Sequence, residues 1–414
     1  MLPLAETCSV FADGDWVESK DQSEDGIRLI QTGNVGLGYF KDRGDKARYI
    51  SEATFGRLRC TEIFEGDCLI SRLPDPVGRS CLLPNTNDRM ITAVDCTIVR
   101  FDRKKIIPEF FNYYSQSHDY LERVESRTTG TTRKRISRSK LGQTLIVVPP
   151  LAEQRRIVGI LDEAFAGIAV AKRNAEQNLQ NARALFESHL QAIFTQRGDG
   201  WVTKTVKEIA SKGKGSIRTG PFGSQLLHSE FVEKGVAVLG IDNAVANEFR
   251  WGKSRFITAE KFRQLERFRV HPGDVIITIM GTCGRCAIVP DDIQTAINTK
   301  HLCCITLDHT QCLPSYLHLY FLLAPQAREH LAKHAKGAIM AGLNMGIIQE
   351  LPVLLPPTGV QASIVNAADA LREKTQRLAA LYQQKLTALD ELKKSLLARA
   401  FAGELTSDAV AQGA

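Results

Sequence analysis

Two kinds of hydrophobic pattern alternate along the chain. Short runs of β-branched and other apolar residues, separated by Gly, Pro and Asp, fill residues 1–150 and 198–357, and such runs are typical of strands joined by turns. Residues 151–197 and 358–405 instead carry apolar residues every three or four positions, which is typical of helices. The pattern therefore predicts two strand-rich domains, each followed by a helical arm, and a short tail at residues 406–414.

The second half of the chain repeats the first at a spacing of 207 residues. The double proline before the first arm, Pro149-Pro150, corresponds to Pro356-Pro357 before the second. Further matches are Gly66 with Gly273, Gln154 with Gln361, Ile157 with Ile364, Asp162 with Asp369 and Phe194 with Phe401. Solenoids are built from several short repeats, whereas two copies of this size indicate internal two-fold pseudosymmetry.

The arms are the clearest local structure. We expect each to begin with a short helix, because proline suits the first turn of a helix, and to continue with a longer one over roughly 166–195 and 371–402. In the second arm the seam positions alternate spacings of four and three, as in a coiled coil. The first arm has smaller residues there, so the two stripes complement each other, and the two-fold relation makes the helices antiparallel. The alternative is that each arm packs on its own domain.

The predicted seam consists of Ile168, Ala175, Asn178, Ala182 and Leu185 in the first arm and of Leu378, Tyr382, Lys385, Leu389 and Leu392 in the second. Asn178 and Lys385 occupy equivalent positions in it. A polar seam residue commonly fixes the register of a coiled coil at some cost in stability, so we expect these two to fix the pairing of the arms.

Composition and charge place the chain among ordinary globular proteins. Of its 414 residues, 43% are hydrophobic and 24% charged, which suffices for sizeable cores. The N-terminus has neither a basic leader nor an apolar run, so we expect no signal peptide, and no apolar stretch approaches the roughly 20 residues of a membrane span. The 10 cysteines are then expected to be reduced thiols in the cytoplasm. The net charge of +7 is mild and by itself decides nothing about nucleic acid.

Basic residues cluster in one segment of each strand-rich domain. Residues 127–140 contain six basic residues and no acid, within Gly, Thr and Ser typical of a loop. Residues 250–269 contain seven basic residues, with Trp251 and three phenylalanines between them. Such clusters suit phosphate neutralisation, and Arg, Asn and Gln can recognise base edges; the alternative is a solvated charged face. The glycine-containing turn at 218–226 is either a backbone phosphate cradle or an ordinary hairpin turn.

The predicted DNA-binding residues are Asn34, Arg72, Arg79, Arg127, Arg133, Lys134, Arg135, Arg138, Arg218, Ser224, Gln225, Asn243, Arg250, Lys253, Arg255, Arg285 and Lys300.

Catalytic signatures are weak in this sequence. The Asp-Pro-Pro-aromatic and Asn-Pro-Pro-aromatic motifs of adenine N6 methyltransferases do not occur. Asp75, Asp102 and Lys104 loosely fit a metal-dependent nuclease, but the second half has no counterpart. The four cysteines at 283, 286, 303 and 304 have zinc-like spacing, yet an adjacent pair makes an awkward tetrahedral site. The sequence therefore favours a DNA-binding protein with no catalytic or metal-binding residues. The alternatives are an endonuclease carrying its own recognition domains and a coiled-coil adaptor without a nucleic-acid role.

A resemblance covers essentially the whole chain. A strand, the sequence PPLAEQRRI at 149–157 and a long helical arm, repeated after a variable basic domain, resemble the DNA specificity subunit of type I restriction–modification systems. TGPFGSQL (219–226), HPGDVIIT (271–278) and GDWVES followed by IRLIQTGN also resemble stretches of the target recognition domains in that family. The chain departs from the pattern where Val360 replaces the glutamate that Glu153 provides in the first arm.

The resemblance implies an α+β protein in which two target recognition domains form a pseudo-two-fold repeat, separated by two helical arms that form an antiparallel coiled coil. Each domain would recognise one half of a bipartite, asymmetric double-stranded DNA target. The arms would dock two methyltransferase subunits, and restriction and translocase subunits would join for cleavage. S-adenosylmethionine, ATP and Mg²⁺ would then belong to those partners, with no cofactor in this chain.

Overall fold

The computed structural model describes residues 1–130, 133–196, 198–334 and 342–405. The tail predicted at 406–414 lies outside these residues. The chain divides into two compact units, the first formed by Met1–Glu176 with Gln384–Ala414 and the second by Gln177–Gln383.

The first unit contains nine named strands and the beginning of a long helix in its described residues. Its strands are β1 (Leu2–Pro3), β2 (Cys8–Asp13), β3 (Ile27–Ile30), β4 (Tyr49–Ile50), β5 (Cys68–Ser71), β6 (Ser80–Leu82), β7 (Met90–Thr92), β8 (Cys96–Phe101) and β9 (Leu145–Ile146). Its helices are α1 (Glu52–Leu58), α2 (Pro108–Tyr114), α3 (His118–Glu125), α4 (Arg138–Gly142) and the start of α5 (Leu151–Thr195). Short 3₁₀ turns lie at Leu4–Thr7, Ser19–Asp21, Thr32–Asn34 and Gly44–Lys46.

Two small sheets form the strand-rich part of the first unit. The order β2-β8-β5-β6 gives an antiparallel four-stranded sheet, and β4-β3-β7 a three-stranded sheet in which β3 and β7 are parallel. The first and last strands of the domain, β1 and β9, pair with each other. All residues of β5 are buried, as expected for a short apolar strand covered on both faces.

The second unit has the same plan. Its strands are β10 (Val202–Thr205), β11 (Ile217–Thr219), β12 (Val236–Leu239), β13 (Phe256–Ile257), β14 (Arg269–Val270), β15 (Val275–Thr278), β16 (Cys286–Ile288), β17 (Ala296–Asn298), β18 (Leu302–Ile305) and β19 (Pro352–Leu355). Its helices are α6 (Val206–Ile209), α7 (Ala259–Leu265), α8 (Pro314–Leu323), α9 (Pro325–His334), α10 (Met345–Gln349) and the start of α11 (Thr358–Phe401). Its 3₁₀ turns lie at Gly223–Gln225, His228–Glu230, Ile241–Asn243 and Glu266–Phe268.

The sheets of the second unit repeat those of the first. The orders are β11-β18-β15-β16 and β13-β12-β17-β14, with β12 and β17 parallel, and β10 pairs with β19. Strand β14 corresponds to the isolated bridge between Ile63 and Met90 in the first unit. The internal repeat predicted from the spacing of 207 residues is therefore confirmed at the level of strand order.

A glutamine follows each double proline, and Gln154 and Gln361 have the same structural role in the two units. The Gln154 amide oxygen accepts a hydrogen bond from the Ile107 backbone N–H (2.8 Å), and its nitrogen donates to the carbonyls of Lys105 and Pro149. Gln361 makes the same bonds, accepting from Leu313 (2.9 Å) and donating to the carbonyls of Gln311 and Pro356. Both side chains are fully buried. Each glutamine thus fixes the start of a long helix to the segment that leads into α2 or α8.

The long helices differ from the prediction in one respect. Each arm is a single helix, α5 over 45 residues and α11 over 44, where the prolines suggested a short helix before a longer one. The prediction of two helices per arm is wrong because no residue after the prolines interrupts the backbone hydrogen bonds. Gly159 and Gly167 lie where a side chain would meet open space, so neither marks a bend forced by packing.

The antiparallel pairing of the arms is present within each unit. In the first unit the Lys393 ammonium lies over the Phe165 ring, 4.9 Å from its centroid, and Lys172 pairs with Asp390. In the second unit the Arg372 guanidinium lies 5.0 Å from the centroid of Phe186. Residue numbers rise along α5 as they fall along α11, so the two helices run antiparallel.

Half of the predicted seam is wrong. Ile168, Ala175 and Ala182 are buried and Tyr382 and Leu389 are half-buried, as expected for a seam. The other five predicted residues are exposed, namely Asn178, Leu185, Leu378, Lys385 and Leu392. The more buried residue is in each case the next one along the chain, namely Leu179, Phe186, Ala379, Leu386 and Lys393. The buried positions still repeat every seven residues, as Ile168, Ala175 and Ala182 do, so the heptad is present but its second position lies one residue later than predicted. The exposed Asn178 and Lys385 therefore do not fix the register.

Candidate nucleic-acid interface

Five of the predicted DNA-binding residues are buried structural residues. They are Asn34, Arg72, Arg79, Arg218 and Asn243, each with at most 8% of its surface exposed. A side chain that contacts DNA must reach the surface with free donors or acceptors, and these do not. Their burial therefore argues against direct contact of these five side chains with DNA.

The buried arginines bind the protein itself. Arg79 donates to four backbone carbonyls around it, those of Val35 (2.8 Å), Leu73 (2.7 Å), Pro76 (3.1 Å) and Thr32 (2.9 Å). Arg218 pairs with the buried Asp274 at 2.5 Å and donates to the carbonyl of Arg269 and the hydroxyl of Thr306. A fully desolvated guanidinium needs such partners, and both side chains crosslink loops of the recognition domains.

Asn34 and Asn243 play one role in the two units. The Asn34 amide oxygen accepts from the Gln31 N–H, and its nitrogen donates to the Lys41 carbonyl (both 3.0 Å). Asn243 accepts from Gly240 and donates to the Arg250 carbonyl (both 2.9 Å). Each asparagine therefore closes a surface loop of the same length, residues 34–41 or 243–250. The matching GIRLIQTGN and GVAVLGIDN segments contain a signal for this equivalence, though not for the burial of the asparagine.

The basic segment of the first unit forms a hairpin and a short helix. Thr129 and Arg135 exchange backbone hydrogen bonds of 2.8 and 2.9 Å, and Ser137 caps α4, so residues 138–142 are helical where a loop was expected. Residues 131 and 132 lie outside the described part of the chain.

Acids from other segments neutralise much of this hairpin. Arg135 pairs with Asp95 (2.9 Å), Arg138 with Asp13 (3.4 Å) and Lys134 with Glu125. Asp13 also lies 3.2 Å from the buried Arg72. Sequence analysis missed Asp13 and Asp95 because no motif links positions so far apart along the chain. Of the described residues of the segment, Arg133 is exposed with no hydrogen bond or ion pair to its side chain, and Arg127 is half-buried.

The turn at 218–226 in the second unit does not form a preorganised phosphate cradle in its described contacts. Ser224 and Gln225 are exposed in a 3₁₀ turn, and the Gln225 amide oxygen accepts a hydrogen bond from the Phe222 N–H at 3.1 Å. The side chain that was expected to recognise DNA therefore caps its own turn. Arg285 is exposed and Lys300 is half-buried.

Asp242 organises the second basic segment. Its carboxylate accepts a hydrogen bond from the Lys253 backbone N–H (2.6 Å) and pairs with Arg255. Burial alone would raise the pKa of Asp242, but the hydrogen bonds from Arg255 and from the Lys253 backbone outweigh it and hold the pKa below its usual value. The carboxylate is therefore charged, and its two contacts hold the loop between Asn243 and Arg255 in place. Arg250 pairs with Glu248 and, like Lys253, is exposed.

The two candidate catalytic clusters are not assembled. Asp102 accepts a hydrogen bond from the Lys104 backbone N–H (3.0 Å), which caps a turn, and within the described part of the chain no shared hydrogen-bond or ion-pair partner links it to Asp75. Burial raises the pKa of the Cys286 and Cys304 thiols well above the usual value and that of Cys303 to about 12. These thiols are protonated core residues. Among the described residues, no three His, Cys, Asp or Glu side chains come close enough to hold a metal ion.

The duplicated domains and paired helices match a known family. The model of the type I restriction modification DNA specificity domain matches residues 19–180 and again residues 198–387. The chain belongs to this family. Two matches in one chain agree with the two units, since each begins in a strand-rich domain and continues into a long helix.

Curated relatives share about a quarter of the aligned residues. The specificity subunit of the type I restriction enzyme EcoBI from Escherichia coli is 26% identical over 312 residues, which is 71% of this chain and 65% of that subunit. The specificity subunit of EcoKI from Escherichia coli strain K12 is 26% identical over 335 residues, or 75% of this chain and 68% of that subunit. The aligned region thus spans about two thirds of the length of these relatives.

Solved structures show the same fold. One chain, from a study of complex assembly and conformational transition in the type I R-M system, aligns with a TM-score of 0.72 at 18% identity and covers 97% of both chains. The HsdS subunit from Thermoanaerobacter tengcongensis aligns with a TM-score of 0.61 at 17% identity, covering 97% of this chain and 96% of that one. Within the described residues, no helix has the length and apolar character that crossing a membrane requires.

Proposed function

We propose that this chain is the DNA specificity subunit of a type I restriction–modification complex and that each unit recognises one half of a bipartite, asymmetric DNA target. The observation that carries the proposal is that the two units share the same buried hydrogen bonds but differ in the residues on their surfaces. Gln154 and Gln361 make the same three hydrogen bonds, and Asn34 and Asn243 close equivalent loops. A repeated framework holds two surfaces in comparable positions, and different surfaces recognise different base sequences.

The surfaces differ in the residues they offer to DNA. The first unit presents Arg133 on the hairpin closed by Thr129 and Arg135. The second presents Arg250, Trp251 and Lys253, whereas the phenylalanines of its basic cluster pack against hydrophobic cores. Because base edges in the major groove form distinct donor and acceptor patterns, two such surfaces suit two unrelated half-sites.

The long helices supply the surfaces for partner subunits in this proposal. Two methyltransferase subunits would dock on the arms and domains, and restriction and translocase subunits would complete the complex. S-adenosylmethionine, ATP and Mg²⁺ would bind to those partners. The exposed face of α5 carries Glu153 where α11 carries Val360, which is 40% exposed, so a methyltransferase meets a different residue at each arm.

The chain itself is proposed to be non-catalytic. The endonuclease alternative needs Asp75, Asp102 and Lys104 around one metal ion, and Asp102 instead caps the turn that contains Lys104. Cys286, Cys303 and Cys304 are fully buried core residues, which supports a structural role for them.

Reconstitution tests the proposal. The purified chain should neither cut nor methylate DNA, and adding the methyltransferase subunit from the same operon with S-adenosylmethionine should produce methylation at one bipartite sequence. Exchanging residues 1–150 for those of another member of the family should change one half of that sequence and leave the other intact. Magnesium-dependent cutting by the chain alone, lost in Asp102→Ala, would instead establish the endonuclease.

A further inference from the structure

Trp251 stands out on the second unit because it is a large aromatic residue left in water. It is 55% exposed, and its ring makes an edge contact with Phe249, with 5.3 Å between centroids and 86° between planes. Exposing an indole costs free energy unless a partner covers it. The contact with Phe249 supports the indole ring from one side and leaves the rest of it exposed.

The backbone on both sides of Trp251 is fixed. On one side the Asn243 amide donates to the carbonyl of Arg250 (2.9 Å), and on the other the Asp242 carboxylate accepts from the Lys253 N–H (2.6 Å). Gly252 allows this close approach, since a Cβ there would lie 1.9 Å from an Asp242 oxygen. A side chain held in this way loses little further freedom on binding, which favours recognition.

A cavity of about 310 Å³ opens beside the indole ring. This volume lies at the lower end of the range for small-ligand sites, about 300–1,000 Å³. Its lining includes Ala237, Val238, Leu239, Trp251, Lys253 and Gln294. The ammonium of Lys253 and the amide of Gln294 are exposed and have no hydrogen bond or ion pair among the described residues. The cavity therefore combines apolar residues of β12, the two aromatic residues Trp251 and Phe256, the paired Arg255 and two free polar groups.

We propose that this cavity binds one nucleobase of the second half-site, turned out of the duplex and stacked on Trp251. A planar base fits apolar walls with an aromatic ring beside it, and Gln294 can hydrogen-bond to its exposed edge. Lys253 lines the cavity and Arg250 precedes Trp251 in the chain; both are exposed and suit the phosphates that flank a displaced nucleotide. The proposal rests on the proposed function, because it assumes that the second unit binds DNA.

The test uses the complete complex of this chain with its methyltransferase subunit. Duplexes that contain the target, each with a single mismatch at one position of the second half-site, are titrated in a fluorescence anisotropy assay. Mispairing lowers the cost of displacing a base, so one position should bind several-fold tighter when mismatched. Trp251→Ala should weaken binding to the target by about 5- to 150-fold, the usual effect of losing one base–aromatic stack, and should abolish the mismatch effect. Trp251→Phe should retain most of both.

Two controls separate this site from the proposed function. Trp16→Ala removes another exposed tryptophan, 68% exposed and hydrogen-bonded to Glu18 on the first unit, and should change neither affinity nor the mismatch effect at the second half-site. Equal affinity of Trp251→Ala and the wild type, with the bipartite target still methylated, would overturn the nucleobase site and leave the proposed function standing. A wild-type complex without any bipartite target would overturn the function itself. Weakening by Trp251→Ala that is equal for all DNA sequences would also refute a base-specific pocket.

Discussion

The ring of Phe194, near the end of α5, packs edge-on against Tyr320 of α8, with 5.2 Å between centroids and 76° between planes. Phe401 at the end of α11 packs against Tyr114 of α2 at the same distance, with 69° between planes. Both phenylalanines correspond in the internal repeat, and each closes the aromatic cluster of a different unit. The last turn of each long helix is therefore part of a domain core.

The first prediction concerns this packing. Phe194 is fully buried, and Phe194→Ala should destabilise the second unit by about 3–5 kcal/mol, the usual cost of a large core truncation. Leu185→Ala, nearby on the same helix but 49% exposed, should change stability by no more than about 0.5 kcal/mol. Urea unfolding of the two variants measures the difference. Similar losses for both would show that Leu185, and not its neighbour Phe186, lies in the contact stripe of α5.

A second prediction follows from the difference between unpaired and paired arginines on the hairpin of the first unit. Arg133 has no partner among the described side chains, so Arg133→Ala should weaken DNA binding and, if it contacts a phosphate, reduce the slope of log affinity against log salt by about one. Arg135→Ala and Arg138→Ala should have smaller effects, since Asp95 and Asp13 already neutralise these residues. Salt titrations of the methyltransferase complex provide the measurement.

The matching control is a charge change away from the hairpin. Lys20→Ala removes an exposed lysine that pairs with Glu18, and it should leave the salt slope unchanged. If the triple variant of Arg133, Arg135 and Arg138 keeps the wild-type affinity and methylation pattern, the hairpin is a solvated surface and the first unit contacts DNA elsewhere.

His318 makes the stability of the second unit depend on pH. Its ring nitrogen Nε2 lies 2.8 Å from the Asn247 carbonyl and 3.0 Å from that of Cys286, so it donates as a neutral imidazole. Burial lowers the pKa of His318 below the usual 6.5, with Arg372 adding to this and the two carbonyls and Asp369 opposing it. A depressed folded-state pKa means that its contribution to stability is complete above about pH 6.5 and is lost as pH falls toward the folded value.

We therefore expect the melting temperature of the second unit to fall between pH 7.5 and pH 5.5 more steeply in the wild type than in His318→Gln. Glutamine retains a donor near the two carbonyls but does not titrate in this range, so its own pH dependence reports the remaining groups. If the melting temperatures of the two proteins fall by the same amount between pH 7.5 and pH 5.5, protonation of His318 does not contribute to the pH dependence of stability.

Much of the fold was predictable because the information is local or repeated. The double prolines, the glutamine behind them and the alternation of strand and helix patterns indicated two similar domains with helical arms, and the strand orders confirm that plan. The seam was predictable in part only. The buried positions repeat every seven residues as expected, but the second position of the heptad lies at Phe186 and Ala379 and not at Leu185 and Leu378. Sequence spacing alone does not tell which of two neighbouring positions faces the partner helix.

The candidate interface was harder to predict because charge type does not reveal burial. Arg79 and Arg218 resemble DNA-contacting residues in sequence, yet one binds backbone carbonyls and the other the buried Asp274. Their partners lie tens of residues away and carry no motif. Arg133 and Lys253 remain candidate DNA-binding residues because they are exposed. Exposure depends on the tertiary structure and could not be predicted from the sequence.

The last prediction concerns the spacing of the two half-sites. If α5 and α11 set this spacing, lengthening both should lengthen the unrecognised gap in the DNA target. Pairs such as Phe165 with Lys393 and Phe186 with Arg372 place Gln180 of α5 opposite Leu378 of α11, so four residues are inserted after each. Four residues make slightly more than one helical turn of about 3.6 residues and keep the contact stripe nearly in phase. The added length of about 6 Å corresponds to one or two base pairs at about 3.4 Å each.

Methylome sequencing of cells that carry the variant should then find both half-sites with their original bases and a gap longer by one or two base pairs. Inserting two residues at the same points is the control. It rotates the following part of each contact stripe by about 200°, so its apolar side chains face the solvent and not the partner helix. That variant should lose methylation and unfold at lower temperature. A four-residue variant that methylates the original target with its original gap would mean that the helices do not set the spacing, since a rigid spacer cannot lengthen without moving what it separates.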